Sequence, residues 1–141
     1  MKAFEIASDV VYSVPPTAKL NEVASIMKRH GIGAVPVCEG KNLIGMITDR
    51  DIVIGCVASG MHPAACQADE FMTSAPIAVN PDTGLEEVAA IMGTEQIRRI
   101  PIINDGEIIG VISLGDLASS LLTEDAIIAD TLREISNPIS I

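Results

Sequence analysis

Apolar residues along the chain fall into short blocks separated by polar or turn-forming residues, and the spacing within each block predicts an element. Leu20, Val23, Ala24 and Met27 stand at i, i+3, i+4 and i+7, the stripe of an amphipathic helix over Leu20–His30. Thr17 is a candidate cap for its start, and Gly31 follows its end, where a glycine readily adopts the left-handed conformation. Val10–Val14, closed by Pro15-Pro16, reads as a strand; Ala34–Cys38 and Leu43–Thr48 read as two more, joined by the turn Glu39-Gly40-Lys41-Asn42. A second helix is expected over Asp51–Ala58. The order then begins again: strand Ile77–Val79, helix Leu85–Met92, strand Arg99–Ile103, turn Asn104-Asp105-Gly106, strand Ile108–Ser113 and helix Asp116–Leu122.

The recurrence is a true repeat. An offset of sixty-five residues aligns Val14–Asp51 with Val79–Asp116 without a gap and makes fourteen positions identical, among them Pro16/Pro81, Leu20/Leu85, Pro36/Pro101, Gly45/Gly110 and Asp51/Asp116. Chance does not keep proline, glycine and aspartate in register with the apolar pattern. The expected architecture is α+β: two β-α-β-β-α repeats packed as a pseudo-twofold pair around one shared core, because neither copy has enough apolar surface to close its sheet alone. The boundaries are 1–60 for the first repeat, 61–71 for a linker, 72–123 for the second repeat and 124–141 for an acidic tail. Ile127, Ile128, Leu132 and Ile135 give that tail a helical apolar stripe.

Composition narrows the function classes. Of 141 residues 48% are hydrophobic, yet the aromatics are only Phe4, Tyr12 and Phe71, so the core is aliphatic. A net charge of −10, with no basic run, disfavours nucleic acid, whose phosphates are held by Lys and Arg. No apolar run approaches the ~20 residues of a membrane span, the N-terminus lacks the apolar segment of a leader peptide, and the expected compartment is the cytoplasm. Cys38, Cys56 and Cys66 are odd in number and make no disulfide framework. Cys56, His62 and Cys66 fit no common zinc spacing and lack a fourth ligand, so no metal site is assigned.

The chemistry concentrates in Gly45-Met46-Ile47-Thr48-Asp49-Arg50-Asp51 and its copy Gly110-Val111-Ile112-Ser113-Leu114-Gly115-Asp116. Each is a strand end, a hydroxyl residue and a helix start carrying a carboxylate. Such a junction suits a ribose and its phosphate: Asp51 can accept from a ribose diol, Thr48 can donate to phosphate, and Arg50 adds charge-assisted donors. The same hydroxyl-x-x-carboxylate spacing is also that of a capping box, which serves only to start a helix, and residues alone leave both readings open. Arg98-Arg99, just before a strand, could reach a phosphate but reads rather as a solvated pair, His30 as a cation at a helix end, and Met27, Met46, Met72 and Met92 as core fillers. Asp49 and Asp51 have no nucleophile–base pair beside them, and no catalytic residue or enzyme motif is identified.

The two copies, marked by Ala34-Val35-Pro36-Val37 with Gly45–Asp51 and by Arg99-Ile100-Pro101-Ile102 with Gly110–Asp116, resemble cystathionine β-synthase (CBS) domains in tandem. The resemblance covers Asp9 to about Leu122. The stretch Ile32–Cys38 with Gly45–Ile54 looks more narrowly like small stand-alone bacterial CBS-pair proteins of the mycobacterial hypoxic response type. It implies a regulatory module without catalysis, requiring no cofactor, that takes an adenine nucleotide (AMP, ADP, ATP) or S-adenosylmethionine. Such pairs form homodimeric four-repeat discs and pass their state to a protein partner, here unspecified. It further implies a crossed arrangement. Thr73, Ile77 and Ala78 would join Thr48, Arg50 and Asp51 in a first site; Ser8, Tyr12 and Ser13 would join Ser113 and Asp116 in a second. The second lacks the in-motif cation, since Leu114-Gly115 replaces Asp49-Arg50, so the first is the expected site if only one is used. The alternative from another class is a structural or interaction dimer, stress-related, with no nucleotide.

Overall fold

A computed structural model describes residues 1–120 and Arg133. The expected helical tail, and the last two residues of the predicted helix Asp116–Leu122, lie outside the described residues. The chain divides into two compact units: Tyr12–Pro76 forms one, and Met1–Val11 joins the chain from Ile77 onward in the other.

In the unit built on the first repeat, helix α2 (Leu20–His30) precedes the hairpin β1 (Ala34–Glu39) and β2 (Asn42–Thr48). Leu20, Val23 and Met27 of α2 are buried, while Ala24 is exposed. Gly31 ends α2 in the left-handed conformation, its N–H donating to the Met27 carbonyl. Thr17 is not the cap. The helix enters through Lys19 with no side-chain cap, and the Leu20 N–H donates to the Cys66 carbonyl. The predicted leading strand shrinks to one parallel bridge, Val14 to Val37, and Pro15 and Pro16 keep it from running on. After Thr48 the chain turns helical and becomes a π-helix, Asp51–Val57.

The predicted linker is structured. A 3₁₀ turn (Pro63–Ala65) leads into the short helix α3 (Ala68–Phe71) and strand β3 (Thr73–Ser74), which pairs antiparallel with β2. Gln67 and Glu70 form a capping box at the start of α3.

The other unit repeats this plan. Helix α1 (Ala3–Ile6) is the counterpart of α3, with α4 (Leu85–Glu95), the hairpin β4 (Arg99–Asn104) and β5 (Glu107–Ser113), and α5 (Leu114–Ser120) following. Its leading strand too is a single bridge, Val79 to Ile102, and Ser8 bridges Val111 as Thr73 pairs with Met46. Asp105 and Gly106 both have positive φ, the twist a two-residue hairpin demands.

The duplication therefore reaches further back than the identical residues do, since Ala3–Ser8 and Ala68–Thr73 are related by the same offset. Each entering arm packs on the unit of the other repeat. The N–H groups of Ala3 and Phe4 donate to the carbonyls of Thr83 and Pro81, and those of Ala68 and Asp69 donate to Ala18 and Pro16. The arms also explain the core. Among the described residues the buried apolar side chains fall into two clusters, one in each unit, rather than the one expected. Ala3 with Ile6 closes one, and Ala68 with Phe71 closes the other.

Candidate functional site

Each hydroxyl–carboxylate pair is locked by reciprocal hydrogen bonds. Asp51 Oδ2 accepts the Thr48 N–H at 2.8 Å, and Thr48 Oγ1 accepts the Asp51 N–H at 3.1 Å. In the second copy Asp116 Oδ2 accepts the Ser113 N–H at 2.9 Å, and Ser113 Oγ accepts the Asp116 N–H at 3.0 Å. These are capping boxes, so helix initiation accounts for one oxygen of each carboxylate and one lone pair of each hydroxyl. The second carboxylate oxygen and the hydroxyl proton have no partner in either copy among the described residues. A diol needs an acceptor and a phosphate needs a donor, and the cap leaves one of each, held still by the backbone.

The motif's other residues answer to the fold. Ile47 and Ile112 are fully buried. A Cβ on Gly110 would stand 2.8 Å from the Ser8 carbonyl oxygen, and one on Gly45 would overlap the Met72 side chain and lie 3.1 Å from the Thr73 carbonyl oxygen. Both glycines are demanded by the arm crossing the strand there.

The two units divide the predicted site residues. Thr48, Arg50, Asp51 and Thr73 share one unit, with Thr73 paired to Met46 two residues before Thr48; Ile77 and Ala78 belong to the other. Ser8, Ser113 and Asp116 likewise share a unit, with Ser8 bridged to Val111, while Tyr12 and Ser13 belong to the first-repeat unit. The Tyr12 ring stacks on His30, centroids 3.6 Å apart and planes 12° from parallel. Burial pushes the pKa of the Cys38 thiol up, and the Ser13 hydroxyl partly brings it back.

The pair Arg98-Arg99 divides, and only Arg98 is exposed. Arg99 opens β4 directly across from Ser113 and is half-buried. Burial lowers its pKa, the Asp116 carboxylate opposes that shift, and Arg98 adds to it. The guanidinium stays charged. The second motif thus has a cation after all, taken from a neighbouring strand; the matching position in the first repeat is Ala34. The sequence lets Arg98-Arg99 reach a phosphate but favours a solvated pair, because the hairpin register, not the linear motif, brings Arg99 there. Arg50 is exposed, and among the described residues its side chain makes no ion pair.

Among the described residues no group of three or more His, Cys, Asp or Glu side chains is placed to hold a metal, and His62 Nδ1 is occupied by the Ala64 N–H at 3.2 Å. No helix among them is long and apolar enough to cross a membrane.

Two arm-swapped α/β units, each with a capped hydroxyl–carboxylate junction, are the architecture of a CBS pair. A CBS domain profile matches residues 3–56 and 68–123, and the chain belongs to the CBS domain family. It is similar to the CBS domain-containing protein YhcV of Bacillus subtilis, 37% identical over 82% of each chain. It is also similar to hypoxic response protein 1 of Mycobacterium tuberculosis, 33% identical over 86% of this chain and 85% of that one. The structure of hypoxic response protein I, described with two coordinated zinc ions, superposes with a TM-score of 0.80 at 32% identity, covering 86% of this chain and all of that one. CBSX2, solved in complex with AMP, shares the fold at a TM-score of 0.74 and 20% identity, over 84% of this chain and 94% of that one.

Proposed function

We propose that this CBS pair is a regulatory module that binds an adenine nucleotide or adenosyl compound, has no catalytic activity of its own and relays its state to a protein partner. The observation that carries this reading is the uncommitted half of each capping box. In both units a carboxylate oxygen and a hydroxyl proton stay available after the helix has been capped, as a ribose and its phosphate require. Arg99 in one unit and Arg50 in the other would meet the phosphate's charge. The AMP complex of CBSX2 shows that the fold accommodates such a ligand in another protein. Thr73 and Ser8, each in the same unit as its junction, would add to the two sites. The half-buried Arg99 makes the Ser113–Asp116 junction at least the equal of the Thr48–Asp51 junction.

A thermal-shift screen with AMP, ADP, ATP and S-adenosylmethionine tests the reading. A ligand at about 100 times its Kd adds ~2.7 kcal/mol to stability. Silence across all four would remove it.

A second reading has its own observation. Val53, Ile54 and Val57 on the π-helix, with Met61 beyond it, expose large apolar side chains, which favours a homodimer or a scaffold needing no nucleotide. Both readings allow a dimer, so the thermal-shift screen separates them: a chain that sediments as a dimer and stays silent to every nucleotide supports the scaffold.

A further inference from the structure

Cys56 on the π-helix and Cys66 before α3 meet in the core of the first-repeat unit with their Sγ atoms 3.8 Å apart, and both are free and buried. Cys56 Sγ also lies 3.5 Å from the Met61 carbonyl oxygen. The fold does not ask for this pair. The positions related by the repeat offset are Leu121 and Met1, and the second repeat contains no cysteine at all. A disulfide has an S–S distance of ~2.0 Å, so the two sulfurs stand about 1.8 Å beyond bonding distance. Between them runs a segment that is mostly exposed, turns at Gly60 with φ +77° and holds only the short 3₁₀ turn Pro63–Ala65. A small oxidant would reach the buried pair through a local opening of that segment.

We propose that Cys56 and Cys66 are an oxidation site, at which a peroxide-class oxidant converts the thiol pair into an intramolecular disulfide that fastens the π-helix to the arm leading into α3. One thiolate attacks a peroxide oxygen; the O–O bond breaks, leaving a sulfenic acid and, after proton uptake, water. The second sulfur attacks the sulfenic sulfur; the S–S bond forms, the S–O bond breaks and a second water leaves. The two thiols give up two electrons and two protons, and the peroxide is reduced to two waters. Burial, followed by the adjacent Cys56 thiol, pushes the Cys66 thiol above its ordinary value. The attacking thiolate is therefore scarce at neutral pH and the reaction quickens in alkali. Cys38, on β1 beside Ser13, has no cysteine in hydrogen-bonding range among the described residues and stays reduced. The proposal does not depend on nucleotide binding, although the fastened helix is the one that begins at Asp51.

The full chain is treated with hydrogen peroxide, quenched, denatured, alkylated with iodoacetamide and read by intact and peptide mass spectrometry. The expected product carries one alkylated cysteine, Cys38, and a Cys56–Cys66 linked peptide lacking two hydrogens. It forms faster at mildly alkaline than at neutral pH, reverts with dithiothreitol and has a Tm several degrees above the reduced protein. Cys56→Ser and Cys66→Ser each lose the linked peptide. Three alkylated cysteines after peroxide, a bridge through Cys38, or a bridge only between two copies would overturn the proposal. The wild-type protein is the decisive sample, so a variant that fails to fold does not shelter it.

Discussion

Gly110→Ala puts a methyl group where the structure has no room for one. The new Cβ would stand 2.8 Å from the Ser8 carbonyl oxygen. That oxygen belongs to backbone held by two hydrogen bonds, Ser8 N–H to the Val111 carbonyl at 3.0 Å and Val111 N–H to the Ser8 carbonyl at 2.9 Å. A side chain would swing aside; a bridged backbone has to shift bodily. Overpacking by one methyl costs ~1–3 kcal/mol, and weakening one backbone hydrogen bond adds up to ~1 kcal/mol. Alanine's smaller unfolded-state freedom returns ~0.4–1 kcal/mol. The net expectation is a loss of ~1–2 kcal/mol. Gly93→Ala is the internal control: it lies inside α4 with nothing within 4 Å of its Cβ, so alanine's helix propensity should stabilise by up to ~1 kcal/mol. Gly45→Ala should fall between them, because the Met72 side chain that it strikes is flexible. Urea unfolding followed by circular dichroism resolves the three. If Gly110→Ala is as stable as wild type while Gly93→Ala behaves as expected, the arm does not cross the strand there and the account of the motif's glycine fails.

Other expectations follow from the same geometry. Asp51→Asn and Asp116→Asn keep an acceptor for the cap and should cost under ~1 kcal/mol, whereas the alanine variants lose a charged, part-buried hydrogen bond and should cost ~1.5–3 kcal/mol; equal losses in denaturant titrations would count against the caps. Arg99→Met should leave the fold intact but weaken anion binding at the Ser113–Asp116 junction, read as a raised Kd for AMP; an unchanged Kd would remove Arg99 from the site. Burial raises the Cys38 and Cys66 thiols above 9.0, their ordinary value. The folded state then holds these protons longer than the unfolded state. The stability they contribute is whole below pH 9.0 and is lost as the pH rises through the folded values. Unfolding midpoints should fall more steeply there in wild type than in Cys38→Ser/Cys66→Ser, and parallel curves would refute the assignment.

Much of this was legible in the chain because local pattern and global fold agree. Leu20, Val23 and Met27 marked a helix face by their spacing, and Gly31 marked its end. Where reading failed, the deciding partner was distant in sequence. Thr17 looked like a cap, but the Cys66 carbonyl serves α2 instead. The segment read as a linker contains α3 because its backbone bonds to Pro16 and Ala18, which no local propensity reports. The core was expected to be shared, yet each arm closes its own. Arg99 entered the candidate site only through the hairpin register opposite Ser113. The capping box itself was visible as a spacing, but its two spare groups appear only once the hydrogen bonds are drawn.

Equilibrium dialysis of labelled AMP against wild type and against Asp51→Asn/Asp116→Asn puts the central claim to its most direct test. The double variant keeps its caps and loses the charge that a ribose would meet. Saturable binding by wild type, and its loss in a variant that unfolds at nearly the same urea concentration, is the predicted result. No saturable binding by wild type, or binding that the double variant retains in full, would contradict the claim that these capped junctions hold a nucleotide.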